Sequence, residues 1–347
     1  MGRFMRLLSL GCFVLAILAC HQENDPENTI VEINTYERYL EDFNSGKLDS
    51  SAFIITQDGG SLYYRYYSGS TIVNNLEYDL YYYSLCKYDL SGKLAWEYTY
   101  GNKSECNDFN KVIQLADGSI LCTASRCKPD LSNYVHALIK LNRNGKFLWE
   151  KTFEGLNIEQ LGSVYQTSDE GFILVGITHT QGEFDWILIK TDGEGNLAWS
   201  RNFGEQSVNE TPQCIIQTGD NGYLITVLAD NSYDEAEQLN HLYKLDQSGH
   251  VLSCTDLPSG TQYVNDMIKA RDDGYILTIP YIRSETDELS LCLFKISDSG
   301  EIMWTREHPL ELHISLEVRI MALPDSGYFF MDRYVLLKFN DSGDLIG

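Results

Sequence analysis

The side chains best suited to acid–base or metal chemistry near neutral pH are His136, His179, His241, His308 and His313, and they are scattered along the chain. His136 and His241 fall at adjacent rather than equivalent positions of the repeats described below, so each reads as a histidine satisfied within a strand. No Gly-x-Ser-x-Gly elbow, phosphate-binding glycine loop or His-Glu-x-x-His helix occurs. The acidic turn Asp192-Gly193-Glu194-Gly195 has the carboxylates of a calcium loop but lacks the later bidentate glutamate. Cys86, Cys106, Cys122, Cys127, Cys214, Cys254 and Cys292 match no zinc spacing. Cys86, Cys214 and Cys292 lie in strand-like runs, where a thiol packs as a small apolar group. Cys122 and Cys127 are candidates for a local bridge in an oxidising compartment. Phe184, Trp186 and Tyr233 could stack on sugar rings, although packing suits them better. The sequence names no catalytic residue, no metal and no cofactor. It points to binding rather than catalysis.

Charge narrows the partners. The chain carries 50 acidic and 26 basic residues. Removal of a leader containing Arg3 and Arg6 leaves 24 basic against 50 acidic groups, a net charge of −26. Such a field repels a phosphate backbone, so nucleic acid is excluded as a partner.

Cys20 is the residue with the clearest chemistry. Arg3 and Arg6 precede an almost unbroken apolar run from Leu7 to Ala19, the layout of a signal peptide. That run is too short to span a bilayer, which takes about 20 apolar residues. It closes with Ile17-Leu18-Ala19-Cys20, which resembles the lipobox of bacterial lipoproteins, with Leu18 bulkier than usual. The resemblance implies cleavage before Cys20 and attachment of diacylglycerol and an acyl chain such as palmitate to that residue. Two or three acyl chains anchor a protein firmly where one binds only marginally. Residues 1–19 are then the signal peptide, 20–28 a flexible polar tether and 29–347 the folded domain. The expected location is the cell envelope, at the outer membrane, on its periplasmic or cell-surface side. The acidic stretch after Cys20 is similar to the signals that flank surface-exported lipoproteins.

What must position any site is a repeat. An acidic turn recurs at Asp58, Asp117, Asp169, Asp220, Asp272 and Asp325, each followed by glycine within two residues. It alternates with a lysine and a glycine five residues later: Lys87/Gly92, Lys140/Gly145, Lys190/Gly195, Lys244/Gly249, Lys295/Gly300 and Lys338/Gly343. The period is about 50 residues, and six copies fill the chain from residue 50 onward. Each copy reads as four short strands joined by hairpins. Leucine stands two residues before every one of these lysines, among apolar neighbours, so the third strand is covered on both faces. Sheets stacked around an axis provide that cover, which predicts an all-β six-bladed β-propeller with four-stranded blades; seven blades is the alternative. Trp96, Trp149, Trp199 and Trp304 stand four residues after the turn glycine and read as inter-blade core. Copy four has Ser253 there, and its outer edge is expected to be looser.

The sixth copy runs out of chain after Gly343, and the strand-like Thr29–Tyr36 is the candidate to close the ring. The Asp-Gly and Lys-to-Gly turns share one face. Links of varied length, such as Ser68–Leu80 and Ala229–Leu239, emerge on the other, and varied loops on a rigid scaffold are the expected binding face.

The run Tyr88-Asp89-Leu90-Ser91-Gly92-Lys93-Leu94-Ala95-Trp96 resembles the PQQ-like propeller repeat of quinoproteins, with a shorter turn and fewer copies. The whole pattern is similar to the Asp-Gly-Gly-type repeats of envelope lipoproteins. A sialidase Asp box would read Asp-x-Gly-x-x-Trp, whereas the spacing here is Asp-x-x-Gly-x-x-x-Trp. The resemblance implies a membrane-anchored binding or scaffold lipoprotein with a protein partner. The alternatives are a surface glycan-binding protein of an uptake system, or a glycan-active enzyme.

Overall fold

The computed structural model describes residues 54–346, apart from 74–75, 102–106, 128–133, 181–182, 205–207, 231–237, 259–263, 265, 283–288, 310–318, 323–326 and 332–335. The regular structure of the described residues is all β-strand. The first blade holds β1 (Ile54–Ile55), β2 (Ser61–Val73), β3 (Leu76–Tyr88) and β4 (Leu94–Thr99). The second holds β5 (Asn107–Gln114), β6 (Ile120–Cys127), β7 (Tyr134–Leu141) and β8 (Phe147–Thr152). The third is β9 (Ile158–Gln166), β10 (Phe172–Thr180), β11 (Glu183–Thr191) and β12 (Leu197–Phe203). The fourth is β13 (Asn209–Gln217), β14 (Tyr223–Asp230), β15 (Gln238–Leu245) and β16 (Val251–Asp256). The fifth is β17 (Asp266–Lys269), β18 (Tyr275–Ile282), β19 (Leu289–Ile296) and β20 (Ile302–Pro309). The sixth shows β21 (Arg319–Ala322), β22 (Tyr328–Met331) and β23 (Leu336–Phe339). Each is an antiparallel meander, and together they form a six-bladed β-propeller.

The sixth sheet has three strands among the described residues, with a bridge from Phe339 to Leu345 where a fourth would begin. Thr29–Tyr36, the candidate closing strand, lies outside the described residues, as do the leader and the tether.

The leucine column explains the stacking. Leu85, Leu138, Leu188, Leu242 and Leu293 are fully buried in the third strands of their blades. The core is a series of layers between neighbouring blades. Leu62, Tyr64 and Leu85 of the first pack on Phe109, Val112 and Ile139 of the second. Ile173, Trp186 and Leu188 of the third pack on Tyr223, Ile225 and Leu245 of the fourth.

The tryptophans seal the outer seams. Each sits in its outer strand and lies on the turn glycine of the next blade: Trp96 on Gly145, Trp149 on Gly195, Trp199 on Gly249 and Trp304 on Gly343. All six turn glycines, Gly92 and Gly300 included, are left-handed, with φ from 74° to 85°. A side chain at Gly249 would put its Cβ 2.9 Å from the Trp199 ring. Glycine is therefore needed twice, for the backbone and for the seam. At Ser253 the seam closes differently, because the Gly300 turn settles over Lys244 and Leu224 instead.

Cys122 and Cys127 are both buried within the single strand β6 and are not bridged, which corrects the expectation of a local disulfide. Five residues apart in an extended strand they lie on opposite faces, and about 16 Å separates them.

Candidate functional site

The two punctuation marks of the repeat meet in space. Lys87 donates to Asp58 Oδ1 at 2.7 Å and to Thr56 Oγ1. Lys244 donates to Asp220 Oδ1 at 2.7 Å and Thr218 Oγ1 at 2.6 Å. Lys190 reaches Asp169 Oδ1 at 3.0 Å and the Thr191 carbonyl at 2.8 Å, and Lys295 reaches Asp272. These four lysines are buried, whereas their aspartates stay half-exposed. Burial raises the Asp220 carboxyl, but hydrogen bonds from Lys244, Thr218 and the Gly222 amide outweigh it and hold its pKa at about 2. Each pair latches the third strand of a blade to its first turn.

Glycine makes room for the latch. A Cβ at Gly60 or Gly171 would collide with the ammonium of Lys87 or Lys190, and one at Gly222 would lie 2.9 Å from that of Lys244. The second blade has Ser119 at this position, and its hydroxyl and amide both bond Asp117. These hydrogen bonds hold the Asp117 carboxyl below the usual carboxylate range. Lys140 accordingly leaves the latch, and its ammonium stands 5.9 Å from the centre of the Phe172 ring in the third blade.

Lys140 thereby reaches a bowl of about 810 Å³ on the turn face, spanning the second to fifth blades. The ends of the inner strands supply Tyr165, Gln166, Gln217 and Lys269, and the first turns supply Ser168, Glu170 and Asn221. The wall is tied together by side chains. Gln217 Oε1 accepts from the Ser168 amide at 2.7 Å, and Asn221 Oδ1 accepts from Ser168 Oγ at 3.0 Å.

Beneath the bowl the axis is bridged. Lys111 on β5 and Asp266 on β17 pair at 3.3 Å between the second and fifth blades, which face each other across a six-membered ring. Each residue stands three positions before the end of its strand, about 10 Å below the turns.

Two bowl residues hold unfavourable backbone conformations. Glu170 and Asn221 have φ of 66° and 64°, where the first two blades use Gly59 and Gly118. A left-handed conformation costs an L-residue about 1–2 kcal/mol, less for asparagine. The fifth blade holds Asp273 at the same position with φ 65°, outside the bowl, so the left-handed residue belongs to the turn; what Glu170 and Asn221 add is side chains that line the bowl.

The opposite face carries a pocket of about 170 Å³ lined by Asn157, Thr178, His179 and Asn202. Ser68–Leu80, expected to be a loop, is instead an extension of the β2–β3 hairpin, paired from Ser68 opposite Tyr81 to Val73 opposite Leu76, while the middles of the other variable links lie outside the described residues, as do His313 and Tyr233. His136 Nδ1 lies 2.8 Å from Ser125 Oγ, and burial lowers its pKa. His308 donates to the Gly343 carbonyl at 2.8 Å, at the seam. Trp186 is buried and stacks on Phe203 at 4.0 Å, which makes it core rather than a sugar platform, while Phe184 is exposed. The sequence shows Asp117, Lys140, Gly193 and Glu194 as turn and repeat positions but not their convergence on one bowl; the signal available was Ser119 standing where neighbouring copies have glycine.

No family model matches the chain, and no curated protein matches it in sequence. Solved structures do match in fold. One is a protein of unknown function from Dyadobacter fermentans, at 10% identity and a TM-score of 0.57, covering 86% of this chain and 93% of that one. Another is an ulvan lyase of polysaccharide lyase family PL25 bound to a GlcA(1-4)Rha3S repeat, at 9% identity and a TM-score of 0.54. It covers 84% of this chain and 78% of its own. The likeness is one of architecture.

Proposed function

We propose that the protein is a lipid-anchored envelope lipoprotein whose propeller binds a hydroxyl-rich ligand, a glycan segment, in the turn-face bowl. The observation that carries this is the lining. Amides, hydroxyls and both signs of charge surround a concave space of about 810 Å³, with Tyr165 as a ring on which a sugar can stack. Ligand sites of about 300–1,000 Å³ are usually apolar, and a polar wall selects a polar guest. The polysaccharide lyase among the fold neighbours is compatible with this reading.

A panel of neutral and acidic oligosaccharides, screened on an array and followed by calorimetry, tests it. Glu170→Gly should weaken the captured glycan at least tenfold while raising stability by about 0.5–1 kcal/mol, since strain is relieved. A panel in which no glycan is retained, or a variant that binds as well as the parent, would sink the reading.

Anchoring is tested apart from binding. Cys20→Ala should move the protein from the membrane to the soluble fraction or leave it unprocessed, and unchanged fractionation ends that part. A second reading, docking of a protein partner, is favoured by Leu148, Leu252 and Met303, which stand 47%, 61% and 62% exposed on outer strands.

A further inference from the structure

The outer edge of the fourth blade brings together a histidine, a cysteine and an aspartate. His241 on β15 stands directly opposite Asp256 on β16, and Cys254 lies two residues before Asp256. Alternation along a strand puts all three on one side of the blade. His241 Nδ1 is 2.8 Å from Asp256 Oδ1, and one ligand atom from each of the three residues lies within 4.8 Å of the others. Cys254 and Asp256 are exposed, and His241 is partly so.

We infer that this triad is a binding site for a borderline divalent transition cation, Zn²⁺ foremost, which clips β16 to β15. The donor set is the first reason. Imidazole nitrogen, thiolate sulfur and carboxylate oxygen are the ligands zinc takes, at about 2.0–2.3 Å, so neighbouring donors of a tetrahedral site stand about 3.6 Å apart. Small side-chain rotations close a spread of 4.8 Å to that value. Exposure leaves the fourth position to water.

The repeat supplies the second reason. Opposed positions corresponding to His241 and Asp256 hold Ser84 with Thr99, Ala137 with Thr152, Ile187 with Asn202, and Cys292 with Glu307. The position of Cys254 holds Glu97, Glu150, Ser200 and Thr305. Only the fourth of these five blades has a ligating side chain of the zinc type at all three places at once.

The third reason is need. The fourth blade is the one with Ser253 in place of the seam tryptophan, and the first four residues of β16 are all exposed. A cation across the two strands ties β16 to β15 from the side opposite Ser253, on a blade whose outer strand lacks the tryptophan. Binding converts the Cys254 thiol to a thiolate, so one proton leaves to solvent as the metal–sulfur bond forms. The site lies on the blade edge and is independent of the bowl.

Cobalt substitution reads the ligands directly. The full-length chain, titrated with Co²⁺, should take up one ion with a thiolate-to-cobalt charge-transfer band, and Zn²⁺ should displace it. Zn²⁺ should also raise the melting temperature and slow amide exchange in β16. Cys254→Ser should abolish the band, and His241→Ala and Asp256→Asn should each weaken binding by about 100-fold, because loss of mere supporting partners already costs 10–100-fold. Glu307→Ala in the next blade should change nothing. A band that survives Cys254→Ser, or affinity unchanged in all three variants, overturns the assignment. All three substitutions are on partly or fully exposed side chains, and circular dichroism verifies that each variant is folded.

Discussion

Asp220→Ala is expected to destabilise the propeller by about 2–3 kcal/mol, far beyond what loss of a half-exposed carboxylate suggests. The reason lies with its partner. Lys244 is 3% exposed, so removing the carboxylate strands a buried ammonium whose remaining side-chain hydrogen bond is to the Thr218 hydroxyl, with the Asp298 carboxylate acting on it only through space. Lys244→Met should be much milder, because an apolar side chain of similar length fits the same space and the charge left behind, the Asp220 carboxylate, is half-exposed to water and keeps its bonds from Thr218 and the Gly222 amide. The double variant should recover most of the loss. Urea denaturation of the four proteins closes the cycle, and equal effects of the two single substitutions would refute the latch. Acid probes the same group. Its folded pKa of about 2 lies below the unfolded value of about 3.9. The stability it contributes is therefore present above pH 4 and disappears as the pH falls through 2. Asp58 and Asp169, also lowered despite burial that raises them, should add to the same acid loss.

Trp199→Ala should cost about 3 kcal/mol, toward the low end for a large aromatic because the ring is only half-buried. The loss should be coupled to Gly249. A methyl group at Gly249 collides with the ring and forces a side chain to φ 79°, so Gly249→Ala is also destabilising. In the double variant the collision is gone and the penalties should fall short of additive by at least about 0.5 kcal/mol. Strict additivity, measured by thermal or urea unfolding, would mean that the ring and the glycine do not share an interface. Ser253→Trp, by contrast, should fail to stabilise the protein. The Gly300 turn already sits with its would-be Cβ 3.3 Å from Lys244 Cβ, so an added indole overfills the seam.

The fold was legible because its punctuation is written six times. Two alternating turn signals fix strand count, and a leucine column with apolar neighbours demands cover on both faces. Both halves of the latch were legible too, as the Lys87 and Asp58 columns, but not their union. In the first copy they lie 29 residues apart, and only the antiparallel register that sets Ser61 opposite Tyr88 swings the lysine under the acidic turn. Likewise the tryptophan and glycine columns were visible, while the fact that each ring rests on the following blade's glycine belongs to the packing of separate sheets. The bowl was hidden for another reason. Variability in length drew attention to the long links, whereas the concavity arises where short, regular turns converge on an axis. One of its two lysines, Lys140, is there because one copy has Ser119 in place of glycine.

The ion pair between Lys111 and Asp266 has a topological consequence. A hub plugged by a bridge from one side to the other cannot be threaded, so a long polymer has no route through the disc. Whatever settles in the bowl must arrive and depart from the same side, lying across the turns as a segment or a chain end.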